Sequence, residues 1–320
     1  MSKTSFSLWI DYLDRDFISG DLHKYLERGA RGITTNPAIF KEAIVGKNSY
    51  KAQIKALKLK GVSGKKLYET LAIEDAQNAA DRLKPYFDGS DGFISVEVDP
   101  AYARDAASTI EEAKRLYKAI GRENVMIKIP ATNEGFIAIK ETLKIGVPTN
   151  ATLVFSLEQT RKILRAANDN ETPLVISVFV SRFDRAIDEK LPENLKAKTG
   201  IFNAANHYNL IRESRRKNVR ALFASTGVKG GDLSADYYIS ELLGDCLVNT
   251  APLKAIETFL TNADRKNKLP ISPDRLEAFF AQIKASGVDF EELCDTLLRD
   301  GLAQFERAFS DILSALALSS

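Results

Sequence analysis

Lys128 stands alone in an apolar run, Val125-Met126-Ile127-Lys128-Ile129-Pro130-Ala131-Thr132. The run has strand character, and Pro130 ends it because proline cannot extend a buried ladder. Side chains alternate along a strand, so Met126, Lys128 and Pro130 share one side. Bulk on both sides implies a strand buried on both faces, as in parallel sheets covered by helices. A lysine there loses hydration, which lowers its pKa toward neutrality, and a neutral amine attacks carbonyl carbon to give a Schiff base. The alternative is a lysine whose stem packs in the sheet while its ammonium reaches water at the strand end.

Other polar residues recur at the ends of apolar segments. The first segment ends at Asp11, and the second at Thr34, Thr35 and Asn36. The third puts Ser95, Glu97 and Asp99 on one side, with Ile94, Val96 and Val98 on the other. Asn150 and Thr152 share a side of the fifth. Ser177 lies on the sixth with Arg182 just beyond it, and the seventh ends at Ser225, followed by Lys229. Asn36 before Pro37 and Asp99 before Pro100 also suit helix starts. Thr152 and Ser177 could serve buried backbone groups, and Arg182 could pair with Asp184 or Asp188 on a helix surface. Asp11 and Glu97 are harder to treat as structural, because carboxylates seldom sit in apolar strands without a partner or a task. Their natural partner is Lys128, and a buried ion cluster adds little net stability. Together these groups suit carbon–carbon bond cleavage: an amine for a ketone, a carboxylate for a hydroxyl proton, and a second acid/base for loss of water from the carbinolamine. Asparagines would hold sugar hydroxyls, and cations beyond the sixth and seventh segments would hold a terminal phosphate.

The elements that must carry these residues alternate. Strands are expected at Phe6–Ile10, Gly32–Thr35, Gly92–Val98, the Lys128 run, Val147–Phe155, Leu174–Val180, Arg220–Ala224 and Cys246–Asn249, with helical stretches between them. Residues 36–91 are too long for one crossover, and helical periodicity over Tyr50–Leu59 and Lys65–Tyr86 implies extra helices after strand two. Only helices follow Pro273. The expected fold is α/β, a (β/α)8 TIM barrel spanning residues 1–320 as a single domain, whose active site lies at the C-terminal strand ends. A doubly wound open sheet is the alternative, but neither G-x-G-x-x-G nor a Walker-type loop is present.

Composition narrows the function. The chain has 320 residues, 44% hydrophobic and 28% charged, with a net charge of +2, which argues against a nucleic-acid surface. Two cysteines and two histidines give no disulfide framework, zinc spacing or His-based metal site, and fit a reducing cytoplasm. No apolar signal core precedes Asp11, and no apolar run approaches membrane-spanning length.

The chain resembles the transaldolase family in Trp9-Ile10-Asp11, Gly32-Ile33-Thr34-Thr35-Asn36-Pro37-Ala38-Ile39-Phe40, Ser95-Val96-Glu97-Val98-Asp99 and Ile127-Lys128-Ile129-Pro130-Ala131-Thr132. Asn150-Ala151-Thr152-Leu153-Val154-Phe155-Ser156, Ser177-Val178-Phe179-Val180-Ser181-Arg182 and Ala224-Ser225-Thr226-Gly227-Val228-Lys229 continue the match in family order. The last loop resembles the actinobacterial and cyanobacterial type more than the enterobacterial type. The resemblance implies a class I aldolase barrel without metal or organic cofactor. Such an enzyme moves a dihydroxyacetone unit from sedoheptulose 7-phosphate or fructose 6-phosphate to an aldose phosphate in the pentose phosphate pathway. It implies Lys128 as Schiff-base lysine, Asp11 as acceptor of the C4 hydroxyl proton, and Glu97 with Thr152 and a water as the acid/base pair. Thr34, Asn36, Asn150 and Ser177 fall at substrate positions, and Arg182, Ser225 and Lys229 at phosphate positions. The implied partners are sugar phosphates alone, in a cytoplasmic monomer or homodimer. Two rivals remain: a fructose 6-phosphate aldolase-like enzyme that releases dihydroxyacetone, usually shorter and with tyrosine where this chain has Glu97, and a sugar-phosphate-binding barrel without turnover.

Overall fold

The computed structural model describes residues 6–168, 170–230, 233–262 and 265–318. Among them, eight parallel strands close into a barrel in chain order. They are β1 (Phe6–Ile10), β2 (Ala30–Thr34), β3 (Ile94–Glu97), β4 (Val125–Pro130), β5 (Thr149–Val154), β6 (Leu174–Phe179), β7 (Val219–Ala224) and β8 (Leu247–Ala251). The expected (β/α)8 barrel is therefore found. The open-sheet alternative fails because β1 pairs with β8 along its whole length. The extra helices after β2 are Pro37–Gly46, Lys51–Leu59 and Gly64–Leu83, and the C-terminal pair are Pro273–Ala285 and Phe290–Leu318.

Strands β4 to β7 are buried at every position, and β4 and β6 read as near-continuous apolar runs interrupted by Lys128 and Ser177. Outward side chains join the helices in one core, while Trp9, Phe93, Met126, Val175, Leu222 and Val248 fill the barrel. At its floor the Trp9 Nε1 donates to Asp91 Oδ1 at 2.7 Å, and Gly32 leaves room for the indole, since a Cβ there would lie 2.4 Å from the ring.

The C-terminal end of the barrel is held by the first turns of the crossover helices. Thr132 caps helix Asn133–Lys144, accepting from the Gly135 N–H at 2.9 Å and donating to the Ala103 carbonyl at 2.6 Å. Gln159, in a capping box with Ser156, donates to the carbonyls of Ala131 (2.9 Å) and Leu153 (3.1 Å), which ties the ends of β4 and β5 together. The Phe155 carbonyl accepts from Asn203 Nδ2 at 2.9 Å and lies 3.2 Å from His207 Nε2. Burial holds His207 down to about 4, so it stays neutral there at physiological pH. Leu153 takes a left-handed backbone (φ 56°) where the β5–β6 register shifts. That kink turns Leu153 in with Phe155 and Phe179, against Leu302 and Phe305 of the C-terminal helix.

Gly135 shows how tight this packing is. A Cβ there would lie 1.9 Å from the Pro130 carbonyl oxygen, a backbone atom at the end of the Lys128 strand. Alanine within a helix normally stabilises by about 1 kcal/mol relative to glycine. Here the overlap reverses the sign, and Gly135→Ala should destabilise by roughly 1–3 kcal/mol. Chemical denaturation reads the difference, and an unchanged or raised midpoint would refute the packing described.

Candidate active site

Glu97 and Lys128 are opposite one another in the β3–β4 ladder, and Lys128 faces Asn150 across the β4–β5 ladder. The Lys128 Nζ donates to the Thr35 carbonyl at 3.1 Å and lies 3.6 Å from Glu97 Oε2. Both side chains are almost out of water, 6% and 4% exposed. The ammonium also sits 5.5 Å from the ring centre of Phe305, on helix Phe290–Leu318, which crosses the barrel mouth. Lys128 therefore does not reach bulk water as the snorkelling alternative supposed.

Neither Glu97 oxygen has a hydrogen-bond partner in the protein. Burial pushes its carboxyl up to about 7, and the nearby Lys128 charge only partly opposes this. A carboxyl so placed both gives and takes a proton near neutral pH. Asp11, just past β1, accepts from Thr34 Oγ1 at 2.7 Å, and Thr34 lies 2.6 Å from Thr250 Oγ1. Burial raises the Asp11 pKa against the opposing pull of Lys128 and Thr34, which makes it a stronger base than an exposed aspartate. Across the barrel, Ser177 Oγ donates to Asn150 Oδ1 at 2.6 Å and Asn150 Nδ2 donates to Ser95 Oγ at 2.9 Å. Asn36 caps helix Pro37–Gly46 through its carbonyl, at 3.1 Å from the Ile39 N–H, while lining the cleft. The Thr152 hydroxyl is buried without a protein partner.

A cleft brings together Asp11, Thr34, Asn36, Lys128, Ser177, Arg182 and Ser225, with Phe179, Thr250 and Phe305 on its walls. Glu97 meets Lys128 from the β3 side, and Asn150 and Thr152 lie beneath, buried on β5. Arg182 does not make the surface pair that its helical setting suggested. Asp184 instead accepts from the Gly200 N–H (2.9 Å) and the Tyr238 hydroxyl (2.8 Å), and Asp188 from the Ala197 N–H (2.9 Å). Arg182 lies 4.9 Å over the Phe179 ring, and burial pulls it down to about 10. Lys229 is exposed on the loop after β7 and is not among the residues lining the cleft.

Thr250 and Phe305 are the site residues that sequence reading missed. The eighth strand, expected at Cys246–Asn249, runs Leu247–Ala251 and carries Thr250 inward. An alternating pattern extended to Ala251 would have found it. Nothing in the local pattern around Phe305 sets it apart from the other apolar residues of its helix.

The burial of Glu97 has a measurable sign. The unfolded chain loses this proton near 4.5 and the fold near 7, so the fold holds a proton that the unfolded chain has released. Below the lower value the group costs the fold nothing, and the cost grows as pH rises through 7. Glu97→Gln removes the ionisation, so its stability advantage over wild type should grow by up to about 3 kcal/mol between about pH 4.5 and pH 8. Paired urea titrations test this, and a pH-independent difference would rule it out.

A sequence model of the Transaldolase/Fructose-6-phosphate aldolase family matches residues 8–316. The chain is 46% identical to a transaldolase of Campylobacter jejuni subsp. jejuni (strain 81116), over 98% of this chain and 99% of the relative. It is 43% identical to a transaldolase of Helicobacter pylori (strain Shi470), over 97% and 99%. With a lysine buried against a carboxyl in the mouth of a closed eight-stranded barrel, the chain belongs to the transaldolase/fructose-6-phosphate aldolase family.

Proposed function

We propose that the protein is a transaldolase that moves a dihydroxyacetone unit between sugar phosphates through a Schiff base on Lys128. The observation that carries the reading is Lys128 itself: buried, 3.6 Å from a carboxyl displaced to about 7, and in one cleft with Asp11. The amine adds to C2 of the ketose. Glu97, with Thr152 and a water, protonates the departing hydroxyl of the carbinolamine to leave the iminium. Asp11 then takes the C4 hydroxyl proton, and the C3–C4 bond breaks. Its electrons pass into the iminium as an enamine while the aldose phosphate leaves. Attack of the enamine on a second aldose phosphate, then hydrolysis, releases the new ketose. Thr34, Asn36, Asn150 and Ser177 hold the dihydroxyacetone hydroxyls, and Arg182 and Ser225 take the phosphate. The same reading makes residues 1–320 one catalytic domain, acting in the cytoplasm as a monomer or homodimer without metal or organic cofactor.

Transfer is distinguished from release with fructose 6-phosphate alone and with erythrose 4-phosphate added. A transferase forms sedoheptulose 7-phosphate only with the acceptor, whereas free dihydroxyacetone at a comparable rate without acceptor would make the chain an aldolase. The carboxylates separate in rapid-quench mass spectrometry. Asp11→Ala should form the adduct and stall before cleavage, with the full ketose on the enzyme, and Glu97→Gln should slow formation of the adduct. Each change should cost roughly 10²–10⁴-fold in its own step. No adduct in Asp11→Ala, or wild-type adduct formation in Glu97→Gln, would overturn the assignment.

A further inference from the structure

The helix after β6 holds a second cation that the mechanism above does not use. We propose that Arg185, exposed at the rim beside Ser225, is the second phosphate-binding residue of the substrate cleft, acting with Arg182 across Ser225. This rests on Arg182 and Ser225 taking the substrate phosphate.

Arg182 and Arg185 stand three apart on helix Ser181–Ile187, a spacing that puts them on one face. The charge of Arg185 disfavours that of Arg182 there. Arg185 nevertheless leans toward the cleft. Its Nη2 lies 3.4 Å from Ser225 Oγ, and its Nε donates to the Ser181 carbonyl at 3.3 Å. Ser181 Oγ lies 3.1 Å from Ser225 Oγ, so two hydroxyls and a guanidinium converge beside a residue of the cleft wall. Among the described residues neither arginine has a carboxylate oxygen within 4.0 Å, unlike Arg115 on Glu69 and Arg122 on Asp81. One Nη1 of Arg182, packed beneath Gly301, has no acceptor in the protein. Burial depresses both guanidinium pKa values, more than the more distant acidic groups, Asp300 and Glu97 for Arg182 and Asp184 for Arg185, offset. Ser225 takes a left-handed backbone (φ 56°), a conformation uncommon outside glycine and asparagine, and it brings the hydroxyl to Ser181 and Arg185. Like charges held together without a direct ion pair, beside one unsatisfied buried donor, suit a dianion that arrives with the substrate. Arg185 is more exposed than Arg182, so its pull on the phosphate is screened more by salt and is strongest at low ionic strength.

The test uses the full-length enzyme and compares fructose 6-phosphate with fructose as donor. Arg185→Ala should raise KM for fructose 6-phosphate roughly three- to tenfold with kcat little changed, the low end reflecting solvent screening. It should leave kcat/KM for fructose unaltered, weaken competitive inhibition by inorganic phosphate in parallel, and flatten the dependence of KM on salt. Arg185→Lys should recover part of the loss, since it restores charge without the fork. Arg182→Ala serves as the reference. If Arg182→Ala lowers the preference for the phosphorylated donor and Arg185→Ala does not, the inference about Arg185 is wrong and the phosphate assignment stands. If neither variant lowers it, the phosphate end itself has been misplaced.

Discussion

The site depends on one constraint, the removal of Lys128 and Glu97 from water in the mouth of a closed barrel. A pair this buried gains Coulomb energy but loses the hydration of both charges, so it contributes little to stability and much to reactivity. At 3.6 Å the two are close enough to feel each other yet too far apart for a hydrogen bond. Glu97 keeps both oxygens free, and the desolvation that raises its carboxyl to about 7 is what suits it to exchange a proton with a reacting group. The barrel supplies the burial: its strands close without an edge, and helix Phe290–Leu318 lays Phe305 over the ammonium.

The rest of the mouth is arranged to hold that pair in register. Thr132 and Gln159 cap the helices that follow β4 and β5 and fasten the strand ends to their neighbours. Hydroxyls and amides then connect around the rim, Asp11 to Thr34 to Thr250 on one side and Ser177 to Asn150 to Ser95 on the other. Each uses a donor or acceptor that burial would otherwise leave unmet, and each keeps further hydrogen-bonding capacity for a polyhydroxylated substrate. The left-handed residues Leu153 and Ser225 stand at the ends of β5 and β7, where backbone strain coincides with the cleft.

How much of this was legible in the chain follows from what patterns can carry. Lys128, Glu97 and Asp11 stood out because a charge in an apolar alternating run is conspicuous, and the strand-end rule placed them in one mouth. The barrel was legible because the apolar runs alternate with helical periodicity. Boundaries were not: β8 was expected to end at Asn249, which left Thr250 outside it, and the stretch from Pro37 to Leu83 holds three helices where periodicity showed two. The short helix Ser181–Ile187 hid the arginine pair, because an arginine near Asp184 and Asp188 reads as a surface ion pair until Gly200, Tyr238 and Ala197 are seen to claim those carboxylates. Phe305 was beyond reach, since its contact with Lys128 joins segments 177 residues apart that only the fold brings together.

Covalent capture is the most direct check on the role given to Lys128. The enzyme is incubated with fructose 6-phosphate and borohydride, digested, and the peptides are mapped by mass spectrometry, with Lys128→Met run in parallel. The account predicts one reduced adduct, on Lys128, with loss of both adduct and activity in the methionine variant while the folded structure persists. An adduct on another lysine, or turnover in Lys128→Met, would contradict it.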